Sequence, residues 1–286
     1  MTSAVADDWP RRVAVLGVGL LGGSVALAIR RVRPQTTLVG FARSAEKRER
    51  LRSIGMVDIA VDSIEASCRD CDAIVVATPV DRIAAMVIEA AAVCATDCLI
   101  TDVGSTKAGI VTAVSADPAA SRKFIAAHPI AGSEKSGDQH ASATLFDGKV
   151  VVLTPTDRAA EDLLEKADHF WRLTGGVTLP MQAGEHDAHL AAVSHVPHLV
   201  SALVARMADP EARPLVGSGW QDITRVAAGD PTLWTAICRE NRTAIGQQLE
   251  RLATELDQLR GLIDEQDDET LRSWLAEAKR VKEQTK

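Results

Sequence analysis

The 286-residue chain has no tyrosine at all, and its aromatic content is only 3 %, four Phe and five Trp. No phenol is available as acid, base or hydrogen-bonding handle, so such chemistry falls to His, Ser, Lys or carboxylates. Excess positive charge is also missing. The sum of 32 Lys+Arg and 39 Asp+Glu is −7, which argues against a nucleic-acid surface built on clustered cations. Cysteine is scarce and odd in number: Cys68, Cys71, Cys94, Cys98 and Cys238 are spread along a chain too long to need disulfide staples. Free thiols in a reducing compartment are the simplest reading. Cys68-x-x-Cys71 with Cys94-x-x-x-Cys98 resembles a thiolate metal site, but Cys71 and Cys98 abut the apolar runs 73–77 and 99–100. Small buried thiols fit them better, and no metal is expected. Long apolar runs are lacking as well. Residues 13–29 follow Arg11-Arg12 without a charge, yet Gly17, Gly19, Gly22 and Gly23 interrupt them and the run is short for a bilayer. No other stretch reads as spanning, so a cytoplasmic protein without a membrane partner is expected.

What is present is enough apolar material, 46 % of residues, for two packed cores at roughly 150 residues per domain. Up to residue 180, short β-branched runs at 13–16, 37–41, 73–77, 98–101, 123–127 and 150–153 alternate with helical patterns at 20–32, 44–54, 80–94, 105–115 and 158–173. Strand alternating with helix implies a parallel sheet covered on both faces, because parallel neighbours need a crossover. After Gly175-Gly176 and Pro180 the pattern turns to helices at 182–208, 220–228, 231–247 and 248–283. The expected fold is therefore α/β, a doubly wound parallel sheet over 1–180 followed by an all-helical domain over 181–286. The last helix carries Leu249, Leu252, Leu256, Leu259 and Leu262 at three- and four-residue spacing, a stripe able to bury against its own domain or a second subunit.

Gly17-Val18-Gly19-Leu20-Leu21-Gly22 fits G-x-G-x-x-G directly after a strand and at the opening of a helix. Gly17 permits the tight turn, Gly19 lets the backbone approach a pyrophosphate, and Gly22 lets helix and strand pack closely. The helix start, with Leu20 and Leu21, offers free N–H groups and a positive dipole end to phosphates. Thr78 and Asp102, at later strand ends, are further candidates for the same dinucleotide in a Rossmann-type domain. Where an acidic residue would hold the ribose hydroxyls of NAD stands Ala42, followed by Arg43 and Ser44. A cation there suits a ribose phosphate, so the sequence favours NADP over NAD. The alternative is that Arg43 merely begins a solvated helix with Lys47, Arg48 and Arg50.

Two further loops follow strand ends: Thr101-Asp102-Val103-Gly104-Ser105-Thr106-Lys107 and His128-Pro129-Ile130-Ala131-Gly132-Ser133-Glu134. In the helical half come Ser194-His195-Val196-Pro197-His198, then Asp222-Ile223-Thr224-Arg225, then Asp230-Pro231-Thr232-Leu233-Trp234. This ordered set resembles the prephenate/arogenate dehydrogenase family of tyrosine biosynthesis. The resemblance implies oxidative decarboxylation of prephenate or arogenate with hydride transfer to NAD(P), in a homodimer formed by the helical domain. It implies His128 as the base with Ser105 hydrogen-bonded to its imidazole, Arg225 on a substrate carboxylate, and His198, Trp234, Glu134 and Ser133 around the substrate. Ser133 stands where Thr is familiar, and Gly217-Ser218-Gly219 replaces a glycine run.

Each choice has a plainer rival. Before Pro129, His128 can serve as a structural cap, Trp234 can fill a core, and Arg225 can pair with Asp222 or Asp230. His186, His189, His195 and His198 invite a zinc site, but Pro197 interrupts their helical spacing. Two other functions compete: a β-hydroxy acid dehydrogenase, for which Lys166 and Asn241 lie too far apart in sequence, and a non-catalytic dinucleotide sensor, which needs neither Ser105, His128 nor Arg225.

Overall fold

The computed structural model describes residue 6 and residues 8–132, 135, 137–159 and 161–284. Eight strands form one sheet: β1 (Arg12–Leu16), β2 (Thr37–Phe41), β3 (Ile59–Val61), β4 (Ala73–Val76), β5 (Leu99–Asp102), β6 (Phe124–Pro129), β7 (Val150–Pro155) and β8 (Val177–Pro180). Their spatial order is β3-β2-β1-β4-β5-β6-β7-β8. All pairs are parallel except β6 with β7. Around the sheet run α1 (Leu20–Val32), α2 (Ala45–Ser53), α3 (Ile64–Cys68), α4 (Val80–Val93), α5 (Ala108–Ser115), α6 (Pro118–Ser121) and α7 (Glu161–Leu173).

Alternation along the strands divides the core into two layers. Val13, Val15, Ala73, Val75, Leu99, Ile125, Val151 and Leu153 face one side, with Val25 and Ile29 of α1 and Phe170 and Trp171 of α7. Ala14, Leu16, Ile74, Val76, Ile100, Phe124 and Ala126 face the other, with Ile83 and Val87 of α4 and Ile110 and Val114 of α5. Each such large side chain contributes about 1.5–3 kcal/mol over an exposed position. Trp171 packs edge-on against Phe146 and Phe170, and its indole N–H donates to Thr101 Oγ1 at 3.2 Å. Its one polar atom is thereby satisfied inside the core.

The remaining helices are α8 (Ala183–Leu190), α9 (Val196–Met207), α10 (Ser218–Thr224), α11 (Pro231–Glu240), α12 (Arg242–Asp264) and α13 (Asp268–Glu283). By chain compaction the residues group into Met1–Arg242, which holds the whole sheet, and Thr243–Lys286.

The doubly wound sheet agrees with the sequence expectation, with some differences. Strand β3 lies outside the expected set, β7 runs antiparallel to β6, and the edge strand β8 is a further addition. It is four residues long and mostly exposed at the sheet edge, so it lacks the apolar run that marks a buried strand. The helix expected at 231–247 ends at Glu240, with Asn241 between α11 and α12, because the Asn241 side chain is turned inward to hydrogen bonds of its own. Pro197 does not break the helical spacing. It sits in the first turn of α9, after a wide turn over Ala191–His195, where a missing N–H is tolerated. Finally, Ala183–Met207 forms one continuous helical stretch that is long and apolar enough to cross a membrane by length and composition, contrary to the expectation of none. The interior explains part of that hydropathy: Leu190, Ala191 and Val196 are buried, and so are the polar His186, Asp187 and His195 on the same stretch.

Candidate active site

β1 is flanked by β2 on one side and β4 on the other, so the chain reverses its winding direction there. Ligands in open α/β sheets bind beyond the carboxyl ends of the strands at that point, which is where residues 17–22 turn into α1. Gly17 has φ +103°, and a Cβ on it would lie 2.5 Å from the Ala77 carbonyl oxygen. A Cβ on Gly22 would lie 2.2 Å from Gly17 O and 2.9 Å from Val15, so helix and strand touch through this glycine. Gly19, by contrast, faces open space. Leu20, Leu21 and Gly22 present the first N–H groups of α1, which have no carbonyl of their own helix to bond. Thr78 completes this end: its Oγ1 is buried and has no hydrogen-bond partner. A tight turn, a gap at the middle glycine and an unpaired hydroxyl fit the phosphate end of a dinucleotide.

Beyond β2, Ala42 is buried while Arg43 and Ser44 are exposed. The Arg48 guanidinium donates to the carbonyls of Ala42 and Arg43 at 3.0 and 2.8 Å, which pins this loop. Ser44 Oγ accepts from Lys47 N and caps α2. Arg43 has no ion pair among the described residues, so its charge is not committed inside the protein.

The Asp102 side chain is engaged inside the protein. Its carboxylate is wholly buried, accepting from Gly104 N at 2.8 Å and Ala127 N at 2.9 Å and pairing with the equally buried Lys107 ammonium. It is an internal strut between β5 and β6. Lys107 also donates to the Ala127 carbonyl at 2.8 Å, so this pair fixes the backbone immediately before His128. Burial pushes the Lys107 pKa down while Asp102 opposes the shift.

His128 lies near the end of β6, partly buried. Its Nδ1 is 2.8 Å from Nε2 of His186 on α8, with the rings tilted at 70° so that they meet edge to edge. The expected bond from Ser105 to this imidazole is not formed: Ser105 is half-buried and makes no side-chain hydrogen bond among the described residues, and His186 takes the nitrogen instead. Nε2 of His128 has no protein partner among them. Burial first, then the neighbouring His186, Lys107 and His195, hold the His128 pKa well below the usual imidazole range. The ring is therefore neutral, as a base must be before it reacts.

His198 and Trp234 stack face to face, centroids 3.4 Å apart and planes within 10°. Gly229 closes over this pair: a Cβ there would lie 2.5 Å from Trp234 Nε1 and 2.9 Å from His198 Cε1. Arg225, in the turn after α10, is exposed, and neither the Asp222 nor the Asp230 pairing is formed. Ser133 and Glu134 lie outside the described residues.

Four buried polar residues were missed as site candidates: His186, Asp187, His195 and Asn241. Asn241 Nδ2 donates to the Asp187 carbonyl at 2.8 Å and meets His195 Nδ1 at 3.1 Å. The carbonyl fixes the amide orientation, so His195 Nδ1 accepts and its proton sits on Nε2, which is buried without a partner. The closely spaced His186, His189, His195 and His198 are the signal available in the sequence, where His198 reads as a substrate residue and the set as a whole only as a rival metal site.

Two family models match the chain in order: "Prephenate dehydrogenase, nucleotide-binding domain" over residues 25–179, and "Prephenate dehydrogenase, dimerization domain" over residues 182–277. A prephenate dehydrogenase of Bacillus subtilis is 30 % identical over 274 residues, covering 93 % of this chain and 74 % of that protein. The crystal structure of prephenate dehydrogenase from A. aeolicus in complex with hydroxyphenyl propionate and NAD+ superposes with a TM-score of 0.90 at 29 % identity, covering 99 % of this chain and 100 % of that one. Synechocystis arogenate dehydrogenase gives a TM-score of 0.81 at 27 % identity, covering 96 % and 100 %.

Proposed function

Since the chain belongs to the prephenate dehydrogenase family, we propose that it carries out the NAD(P)-dependent oxidative decarboxylation of prephenate or arogenate in tyrosine biosynthesis. The observation that carries this reading is the ordered match of both family models, which together run from residue 25 to 277.

The residues divide the work as follows. A nicotinamide dinucleotide, when bound, supplies the hydride acceptor; residues 17–22 and Thr78 hold its phosphates. His128 Nε2 takes the proton of the ring hydroxyl as the carbon that bears it is oxidised. Loss of the ring carboxylate as carbon dioxide then leaves an aromatic ring, which drives the reaction forward. Arg225 meets a substrate carboxylate with its planar guanidinium, and the His198–Trp234 stack walls the ring. Ser105 touches the substrate hydroxyl from the loop after β5. Arg43 and Ser44 favour the ribose phosphate of NADP, because no carboxylate competes for that charge and Ala42 offers none to a ribose hydroxyl.

The domain division lies near residue 180, and the helical part associates into a homodimer. The match of residues 182–277 to a dimerization domain and the exposed apolar side chains Val193, Leu203 and Met207 support that assembly. Five free thiols are consistent with a reducing cytoplasm.

The test is absorbance of the reduced nicotinamide with prephenate and with arogenate, each with NAD and with NADP. Reduction in at least one combination is expected, faster with NADP. Silence in all four, with dinucleotide binding intact, removes the catalytic reading and leaves a dinucleotide sensor.

A further inference from the structure

The base nitrogen of His128 acts only if its proton sits on the other nitrogen, and the structure contains a device that decides this. Asp187 is buried at the start of α5, although it belongs to α8. Its Oδ1 accepts from Lys107 N at 2.8 Å and its Oδ2 from Ala108 N at 2.9 Å, so two backbone donors hold the carboxylate in place. Oδ1 also lies 2.8 Å from Nδ1 of His186, a side chain with no solvent exposure. A carboxylate accepts, so His186 carries its proton on Nδ1 and turns the Nε2 lone pair toward His128. The 2.8 Å contact to His128 Nδ1 then requires that His128 donate. What remains on His128 is a lone pair on Nε2.

We infer that His186 and Asp187 are positioning residues which lock His128 in the tautomer whose Nε2 is free to accept a proton. The inference rests on His128 being the base. When Nε2 takes the substrate proton, the imidazolium keeps its Nδ1–H bonded to His186, whose own N–H is held by the buried carboxylate. The positive charge is thus stabilised through one neutral ring without Asp187 itself taking the proton. Second-layer carboxylates commonly orient histidines in this way.

The other charged or titratable groups around the pair are committed elsewhere. The Lys107 ammonium is neutralised by Asp102, and His195 Nδ1 accepts from Asn241. Neither competes for the nitrogens of His128 or His186.

The experiment compares His186→Leu, His186→Gln, Asp187→Asn, His128→Ala and the double variant His128→Ala/His186→Leu in steady-state assays, with circular dichroism melts and dinucleotide binding for each. Leucine removes the acceptor, so kcat falls about 10²-fold while KM stays within about threefold. Glutamine restores an acceptor oxygen and recovers at least about tenfold of that loss. The double variant is no worse than His128→Ala within about twofold, because both changes disable one unit. Should the leucine variant fail to fold, Asp187→Asn against His186→Gln gives the same answer: the amide can donate to His186, reverse both tautomers and lower kcat at least about 10²-fold, whereas glutamine stays within about tenfold of wild type. A His186→Leu enzyme with kcat within about threefold of wild type, a loss carried by KM, or no recovery with glutamine overturns the inference. If His128→Ala itself stays active, the base assignment has failed; if His128→Ala is inactive and His186→Leu is normal, only the positioning role has.

Discussion

Replacement of Lys107 by Met probes how the interior supports the site. The Lys107 ammonium and the Asp102 carboxylate are both wholly buried and in contact, and the same ammonium donates to the Ala127 carbonyl. Methionine keeps the length and most of the volume, so no large cavity opens. What is lost is the cation: Asp102 keeps two backbone donors, from Gly104 and Ala127, but its charge becomes uncompensated away from water. Removing one partner of a buried pair costs about 3–5 kcal/mol, and the Ala127 carbonyl left without its donor adds about 1 kcal/mol. The double variant Asp102→Asn/Lys107→Met removes both charges, and an amide oxygen still accepts from Ala127 N. It should regain about 3 kcal/mol over the single variant, because an apolar or neutral replacement of a buried pair is close to neutral in cost. Urea unfolding followed by far-ultraviolet circular dichroism reads both quantities, provided the slope of the transition is unchanged between variants. A single variant destabilised by less than about 1 kcal/mol, or a double variant no better than the single, would refute the view that this pair is a charge-balanced strut.

Three further outcomes follow from the geometry. Burial lowers the His195 pKa to about 4; the unfolded state then binds the extra proton between the ordinary histidine value and pH 4, so stability is complete above about pH 6.5 and is lost as the pH falls through that window, by up to about 3 kcal/mol. His195→Gln should show a flatter acid limb of stability, and an unchanged limb disproves the account. Ala42→Asp places a carboxylate beside Arg43, and the ratio of kcat/KM for NADP over NAD should fall about tenfold or more; an unaltered ratio means that Arg43 does not face the ribose. Gly229→Ala drives a methyl group into the His198–Trp234 stack, so KM for the substrate should rise several-fold with dinucleotide affinity unchanged, and equal kinetics to wild type would show that the stack yields without consequence.

Some of this molecule is legible in the chain because local sterics dictate it. The turn at Gly17 demands a positive φ beside the Ala77 carbonyl, and Gly22 demands contact without a side chain; both follow from three glycines between a strand and a helix. The strands of the sheet's centre announce themselves because they are buried on both faces and so read as continuous apolar runs. The edge strand β8 does not, since it is mostly exposed and joins the sheet by backbone pairing to β7, which leaves no mark on side-chain composition.

The site divides along the same line. His128 and Arg225 stand out in the sequence as candidates because the segments around them resemble those of a known family. The role of Asp102 does not: five residues before Lys107 in a polar loop, it reads as a ligand-facing carboxylate, and only the packing of β5 against β6 turns it inward. The contacts of His128 with His186, and of Asp187 with Lys107 N, join positions 58 and 80 apart. Nothing local encodes them, because a hydrogen bond between distant segments depends on where tertiary packing sets two backbones. By itself, the sequence determined the sheet, the phosphate turn and the identity of the chemical groups. The tertiary structure decided which nitrogen of His128 is free, because that is settled by a partner the chain brings from another helix.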